Sequence, residues 1–309
     1  MIRVRIPATT ANLGPGFDCM GLALDLWNSF EMRLVGDDIR VSVDGEGAGV
    51  LATDATNLIA TTFKSELERF RSDIPKGVLF SVHNAVPCAS GLGSSSTATL
   101  AGIMFAQAYA RHLAGQDPAE FDRAETLQRA VDVEGHGDNV APALLGGFVI
   151  VVPDKDAGVL TQKVPHNKMT VVVCVPDFQY LTADARKALP DSYSKSDAIF
   201  NIGRAMLVAE AFRAGNDDLL RKAMSDRIHE PFRLKDIPGA ADVKTAALEC
   251  GALCVCLSGA GPGVVAFTRE GFDRIGRSMK DAYQAAGLNS RYWILDTSED
   301  GAHVGRLPV

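Results

Sequence analysis

Pro87-Cys88-Ala89-Ser90-Gly91-Leu92-Gly93-Ser94-Ser95-Ser96-Thr97 lies between an apolar, strand-like run, Gly77-Val78-Leu79-Phe80-Ser81-Val82, and a small-residue helical run from Ala98 to about His112. Strand, glycine-rich loop and helix start, in that order, is the arrangement that cradles a phosphate. Glycine lets the backbone turn sharply and approach a ligand closely. The free N–H groups at a helix N-terminus then point at an anion, with the helix dipole behind them. Ser94, Ser95, Ser96 and Thr97 add hydroxyls for phosphate or metal. The loop holds no lysine, so it is not the GxxxxGK[ST] phosphate loop. Gly91-Leu92-Gly93 begins a dinucleotide fingerprint, but Ser96 stands where the third glycine belongs. No Gly-x-Ser-x-Gly nucleophile elbow can be drawn through it either. A phosphate loop of another type remains.

Two further turn-rich segments flank it in sequence, Pro7 to Asp18 and Ser258 to Gly263. Either one alone reads as an ordinary turn, since glycines are common at strand ends. Glu134-Gly135-His136-Gly137-Asp138-Asn139 packs three ionisable groups and an amide into six residues. Glu134 and Asp138 suit a magnesium ion or a proton transfer. They suit equally a solvated loop in which Asp138 or Asn139 caps the next helix. Taken singly, Asn12 and Asp18 read as turn formers, and Arg186 and Arg233 as surface charges.

The bulk properties place the chain among soluble globular enzymes: 309 residues, 47% hydrophobic and 22% charged. A formal net charge of −7 argues against broad nucleic-acid binding, for which a basic face is expected. No apolar run approaches the roughly 20 residues of a membrane span. The chain opens Met1-Ile2-Arg3-Val4-Arg5 without a visible targeting signal, and the expected location is cytoplasmic. The cysteines, Cys19, Cys88, Cys174, Cys250, Cys254 and Cys256, lack a matching histidine motif and read as packed thiols, Cys88 included.

Along the chain, Arg3 to Ile6 reads as a short strand, Ala8 to Asp18 as a loop, and Leu22 to Leu34 as a long bent strand with a hairpin partner at Ile39 to Val43. Helices are expected at Asn57 to Arg71 and at Pro118 to Val131, the latter with Asp117 as N-cap. A strand follows at Phe148 to Val152, and the polar stretch Asp154 to Lys168 is the best boundary. Beyond it, strands at Thr170 to Val175, Leu253 to Leu257, Val264 to Phe267 and Arg291 to Leu295 alternate with helices. Mixed blocks in two halves, 1–157 and 168–309, predict an α+β fold in two domains.

Together these segments resemble the GHMP kinase superfamily, named for galactokinase, homoserine kinase, mevalonate kinase and phosphomevalonate kinase. Pro7-Ala8-Thr9-Thr10-Ala11-Asn12-Leu13-Gly14-Pro15-Gly16-Phe17-Asp18, Pro87 to Thr97, and Leu257-Ser258-Gly259-Ala260-Gly261-Pro262 are similar to its three motifs, in order. Asn12 to Asp18 and Glu134 to Gly147 are closest to the homoserine kinase branch. The resemblance implies an N-terminal domain carrying the nucleotide loop, a C-terminal ferredoxin-like α/β sandwich, and an active site in the cleft between them. It implies ATP-dependent phosphorylation of the side-chain hydroxyl of L-homoserine, on the route to threonine. A mevalonate-type kinase and a catalytically silent nucleotide-binding homologue are the alternatives.

The resemblance also implies roles. Pro87, Ser90, Gly91, Leu92, Gly93, Ser94, Ser95 and Ser96 would wrap the triphosphate of ATP. Ser94 or Ser95 with Glu134 would hold Mg2+, with Asp132 and Glu125 as fallback carboxylates. Asn12 and Asp18 would take the substrate ammonium, Arg186 and Arg233 its carboxylate, and Asn139 the hydroxyl to be phosphorylated. His136 and Gly259 would support the pocket, and Asp138 is the local candidate for a base if one is used. Relatives of this kind imply a homodimer.

Overall fold

The computed structural model describes residues 2–306. The first half of the chain runs β1 (Ile2–Ala11), β2 (Met20–Arg33), β3 (Ile39–Gly45), α1 (Leu58–Arg69), β4 (Val78–Asn84), α2 (Ser94–Leu113), α3 (Arg123–Glu134), α4 (Val140–Leu145), β5 (Phe148–Asp154) and β6 (Gly158–Val164). The second half runs β7 (Thr170–Pro176), α5 (Thr182–Lys187), α6 (Lys195–Ala214), α7 (Asp217–Ala223), α8 (Glu230–Arg233), α9 (Ala240–Glu249), β8 (Cys254–Leu257), β9 (Val264–Thr268), α10 (Phe272–Ala285), β10 (Ser290–Asp296) and β11 (His303–Arg306).

β2 is the spine of the first sheet. One edge pairs antiparallel with β1; the other pairs with β5 over Met20–Leu22 and with β4 over Ser29–Arg33. β3 is not the hairpin partner of β2 expected from the sequence. It pairs parallel with β4, which lies between them. The reason is burial: Val78, Phe80 and Val82 give β4 an apolar inward face, whereas β3 buries Val41 alone and suits an edge. α1 and α2 cover this sheet and close a core around Phe30, Phe63, Phe80, Leu100 and Phe105.

α3 also begins later than expected. Asp122, not Asp117, is its N-cap, accepting from the N–H groups of Ala124 (2.8 Å) and Glu125 (3.0 Å). The residues of α3 that must be buried, Thr126, Leu127, Ala130 and Val131, all follow Asp122, while Asp117 closes a separate turn through Ala119. β1 runs on to Ala11, so the segment from Ala8 read as loop is strand in its first part.

The second sheet is antiparallel, in the order β10-β7-β9-β8. One face packs against α9 and α10 through Val172, Leu257, Val243 and Met279. The opposite face meets α6 and α7, and also Leu13, Leu22, Val86, Leu92 and Phe148 from the first half of the chain, in one continuous apolar cluster. This shared core holds the phosphate loop against the second sheet. The polar stretch 154–168 contains β6, which extends the first sheet to Val164, and β11 returns from the far end of the chain to pair with β1. Cys254 and Cys256 lie buried in β8 as expected, but Cys88 is exposed, its Sγ 3.8 Å from Ser94 Oγ. The loop buries Val86 and Leu92 in the shared core and leaves the intervening Cys88 outside it. No helix among the described residues is long and apolar enough to cross a membrane.

Candidate active site

The loop before α2 alternates its backbone handedness. Ala89, Gly91 and Gly93 have φ of 50°, 79° and 72°, with ordinary residues between them. The carbonyls are thereby turned away from the cleft and satisfied by protein donors. Ser90 O accepts from Gly263 N (3.2 Å), Leu92 O from Thr9 N (3.1 Å) and Gly93 O from Thr97 N (3.1 Å). Gly91 O accepts from Ser258 Oγ (2.7 Å), and Ser94 O from Thr97 Oγ1 (2.8 Å). Among the described residues, no acceptor takes the N–H groups of Gly91, Gly93, Ser94, Ser95 or Ser96. Gly93 is the N-cap of α2, and no side chain caps the helix there. A row of free amides on alternating backbone at a helix N-terminus is an anion cradle. Both glycines are required by space as well as by φ: a Cβ on Gly91 would run into the Ser258 carbonyl oxygen, and one on Gly93 into Thr9 Oγ1.

The other two turn-rich segments pack against this loop, which no single motif announces. Thr9 N bonds Leu92 O, Gly259 N bonds Ala11 O, and Ser258 Oγ reaches both Thr10 Oγ1 (2.9 Å) and the loop. Pro87 anchors the loop from behind, its carbonyl accepting from Ser90 Oγ (2.7 Å), and Leu92 is buried in the shared core. Glu134, the last residue of α3, faces the first turns of α2. Its carboxylate accepts from Ser95 Oγ (3.2 Å), Ser96 Oγ (3.2 Å) and Thr99 Oγ1 (2.6 Å). Ser94 Oγ points instead toward Cys88. Asp132 and Glu125 are held by Arg129 and Arg69, respectively, in a surface ion-pair network and do not line the cleft.

Asn139 begins α4 but does not cap it with its side chain; its Oδ1 accepts from Thr9 Oγ1 (2.8 Å) at the cleft wall. His136 lines the same cleft, and its Nδ1 lies 2.7 Å from the buried Asp138 carboxylate. Burial works against the imidazolium, but the hydrogen bond and negative charge of Asp138 outweigh it, and the His136 pKa lies above its ordinary value of 6.5. A pKa raised by folding contributes stability below the unfolded value and loses it as pH climbs through the folded one. The melting-temperature advantage of the wild type over Asp138→Asn is therefore expected to be largest below pH 6.5 and to shrink above it. An advantage that grows with pH would contradict this pairing.

Asp18 and Arg186 meet across the chain in a two-pronged ion pair, 2.9 Å at each prong. Asn12 (φ 59°) accepts from Asp18 N through Oδ1 (2.8 Å), which fixes the Asp18 backbone. Arg233 is 1% exposed and has no carboxylate ion partner among the described residues. It reaches only the carbonyls of Ala185 (3.3 Å) and Gly259 (3.4 Å) and His229 Nδ1 (3.3 Å), with Phe17 beneath it. Burial and the neighbouring Arg186 charge pull its pKa below the usual guanidinium value, against the attraction of Asp18 and Asp138. A buried guanidinium with no carboxylate partner among the described residues is suited to an anionic group.

Sequence reasoning missed several residues here. His229 is fully buried and donates through Nε2 to Gly14 O (2.8 Å), which leaves Nδ1 to receive Arg233. It thus ties the Asn12–Asp18 turn to the arginine. Tyr180, Leu181 and Thr182 close one side of the cleft, which measures about 240 Å³. A second, apolar cavity of about 340 Å³ opens beside it, lined by Val43, Leu51, Asn57, Leu58 and Val82 and sharing Ala89, Ser94 and Ser95 with the first. These residues carry no motif, and their apolar spacing reads as core.

The fold and the loop define a small-molecule kinase of the GHMP type. Models of the GHMP kinases N terminal domain and the GHMP kinases C terminal match residues 57–147 and 208–285. The chain is 39% identical to a homoserine kinase of Synechococcus sp., covering 98% of this chain and 97% of that protein. It is 37% identical to the homoserine kinase of Carboxydothermus hydrogenoformans, covering 98% and 96%. The crystal structure of homoserine kinase from Cytophaga hutchinsonii superposes with a TM-score of 0.83 at 31% identity, over 98% and 97% of the two chains. Mevalonate kinase from L. major, at 15% identity and a TM-score of 0.70 over 96% of each chain, shares the fold. The chain belongs to the homoserine kinase family, ATP-using kinases of small molecules.

Proposed function

We propose that the protein transfers the terminal phosphoryl group of ATP to the side-chain hydroxyl of L-homoserine, forming O-phospho-L-homoserine for threonine synthesis. The observation that carries the substrate assignment is Arg233, a buried cation with no carboxylate partner among the described residues, set beside the Asp18–Arg186 pair. Such a cluster complements a zwitterion: the guanidinium forks take a carboxylate, and Asp18 with Asn12 takes an ammonium. Mevalonate has the carboxylate but no ammonium, so Asp18 would be left without a cationic ligand group.

The apolar cavity suits adenine, and its shared wall at Ser94 and Ser95 leads the phosphates onto the free amides of Gly91, Gly93, Ser94, Ser95 and Ser96. Phosphoryl transfer asks mainly for positioning and charge stabilisation. Asn139, fixed by the hydrogen bond that its Oδ1 accepts from Thr9 Oγ1 (2.8 Å), would hold the accepting hydroxyl, and Asp138 acts through His136 by fixing its ring. Glu134 and Ser95 present hard oxygen donors where the phosphates would lie, which fits magnesium, an ion held by few carboxylates together with substrate phosphates. Among the described residues, no group of three or more His, Cys, Asp or Glu offers a rival metal site. Bound there, magnesium supplies neutralisation of the charge that develops between the β- and γ-phosphates.

The test is ADP release with homoserine, threonine, serine and mevalonate in parallel. Homoserine is expected to exceed mevalonate in kcat/KM by on the order of 10⁴, because the site's buried polar groups lose partners with the wrong ligand. Turnover with mevalonate alone, or nucleotide binding without transfer to any of the four, would overturn the proposal.

A further inference from the structure

Arg233 is the last residue of α8, a single turn that starts at Glu230. Its guanidinium is loosely held. The contacts with Ala185 O, Gly259 O and His229 Nδ1 measure 3.3, 3.4 and 3.3 Å, outside the usual N–H hydrogen-bond range of about 2.7–3.2 Å. Contacts of that length do not fix the direction of the fork, so the backbone beneath it must. A single helical turn has too few bonds of its own to hold a place in the fold. The short bonds of this region converge instead on Asp226, whose side chain is fully buried. Its Oδ1 accepts from Asn201 Nδ2 (2.6 Å) and Ile228 N (3.0 Å), and its Oδ2 from His229 N and Glu230 N (2.8 Å each). Asn201 belongs to α6, and its Oδ1 in turn accepts from Arg227 N (2.9 Å).

Asp226 reaches the arginine through His229. The His229 backbone is tied to Asp226 and its Nε2 to Gly14 O (2.8 Å). The ring so held stacks on Phe17, with centroids 5.3 Å apart, and turns Nδ1 to the guanidinium. Glu230 secures the same turn independently, accepting from Leu257 N (2.6 Å) and Lys244 Nζ. Without Asp226 the turn therefore stays docked, and what is released is its direction. We propose that Asp226 is a positioning residue for the transfer reaction: by fixing His229 and the start of α8, it aims Arg233 at the substrate carboxylate. This inference rests on the role of Arg233 proposed above.

The experiment is a double-variant cycle on the full-length enzyme, pairing Asp226→Asn with Arg233→Met. Asparagine keeps the size of the side chain but sets an NH2 group against two of the N–H donors, which displaces them. In the wild-type background Asp226→Asn should raise the KM for homoserine about tenfold, within the coupling range of residues that share one network, and leave the KM for ATP within about twofold. In the Arg233→Met background it should change the homoserine KM by less than about twofold, because the group it aims is gone. A rise that persists undiminished in both backgrounds is that of a general structural residue and overturns the proposal. An unchanged homoserine KM in the wild-type background, or an equal rise in the KM for ATP, overturns it too. An unchanged homoserine KM in Arg233→Met alone marks a different failure, that of the carboxylate role of Arg233, and takes this inference with it. Circular dichroism and melting temperature establish the fold of each variant. Should Asp226→Asn not fold, Asn201→Ala takes its place in the cycle, since it withdraws the 2.6 Å bond and leaves the three backbone bonds to Asp226. The expected rise is then about threefold in the wild-type background and absent beside Arg233→Met, and equal effects in the two backgrounds overturn the proposal.

Discussion

Glu134→Gln is expected to lower kcat by about 10²–10³, the usual loss when one charged group stops stabilising a transition state. The KM for homoserine should stay close to that of the wild type. The substitution keeps the shape of the side chain, leaves an amide oxygen to accept from Thr99 and Ser95, and puts an NH2 donor opposite the Ser96 hydroxyl oxygen, so the packing between α3 and α2 survives. What disappears is the negative charge opposite the phosphate loop. The magnesium concentration needed for half-maximal rate should rise for the same reason. An unchanged magnesium profile would sink this role for Glu134. It would not transfer the role to Asp132 or Glu125, whose oxygens are tied to arginines outside the cleft.

Arg233→Met should raise the KM for homoserine by about 10²-fold, from the loss of a charge-assisted hydrogen bond of about 1.5–3 kcal/mol. The KM for ATP should not follow, since the guanidinium lies with Phe17, His229 and Gly259 and away from the apolar cavity. The distinctive expectation concerns stability. A structural arginine in a buried ion pair would cost several kcal/mol to remove, whereas among the described residues Arg233 hydrogen-bonds only to two carbonyls and His229 Nδ1. Methionine fills similar volume without an unpaired charge, so the melting temperature should hold or rise. Parallel increases in both KM values, or a large fall in melting temperature, would make Arg233 a structural residue.

The elements that are local in sequence were legible from it. The loop from Pro87 to Thr97 is recognisable because its glycines, hydroxyls and following helix lie within a few residues, and the structure places its free amides at the cleft. The long strand β2 and helix α1 were likewise visible as apolar patterns. The partner of β3 was not, because strand order depends on which face is buried in the assembled sheet, and β4 outcompetes β3 for the inner place. The start of α3 was misplaced because Asp117-Pro118 carries a helix-start signature, and only packing of Leu127 and Val131 selects Asp122. Within Glu134 to Asn139 the residue types suggested a site or a solvated loop with equal force, and only the tertiary structure shows that Glu134 is held by Ser95 and Asn139 by Thr9.

The sequence by itself determined a lysine-free phosphate loop and the kinase family that goes with it, since both are written in consecutive residues whose backbone preferences act locally. Only the tertiary structure decided that Asn12, Asp18 and Arg186 are linked to one another, and that Arg233 reaches Gly259 at the edge of the cleft that Asn139 lines. Their links join Thr9 to Asn139, Asp18 to Arg186 and Gly14 to His229, pairs 130, 168 and 215 residues apart. Proximity over such separations comes from burial of the apolar core shared by the two halves, which brings the turn after β1 and the loop before α2 against the second sheet. No local pattern encodes it.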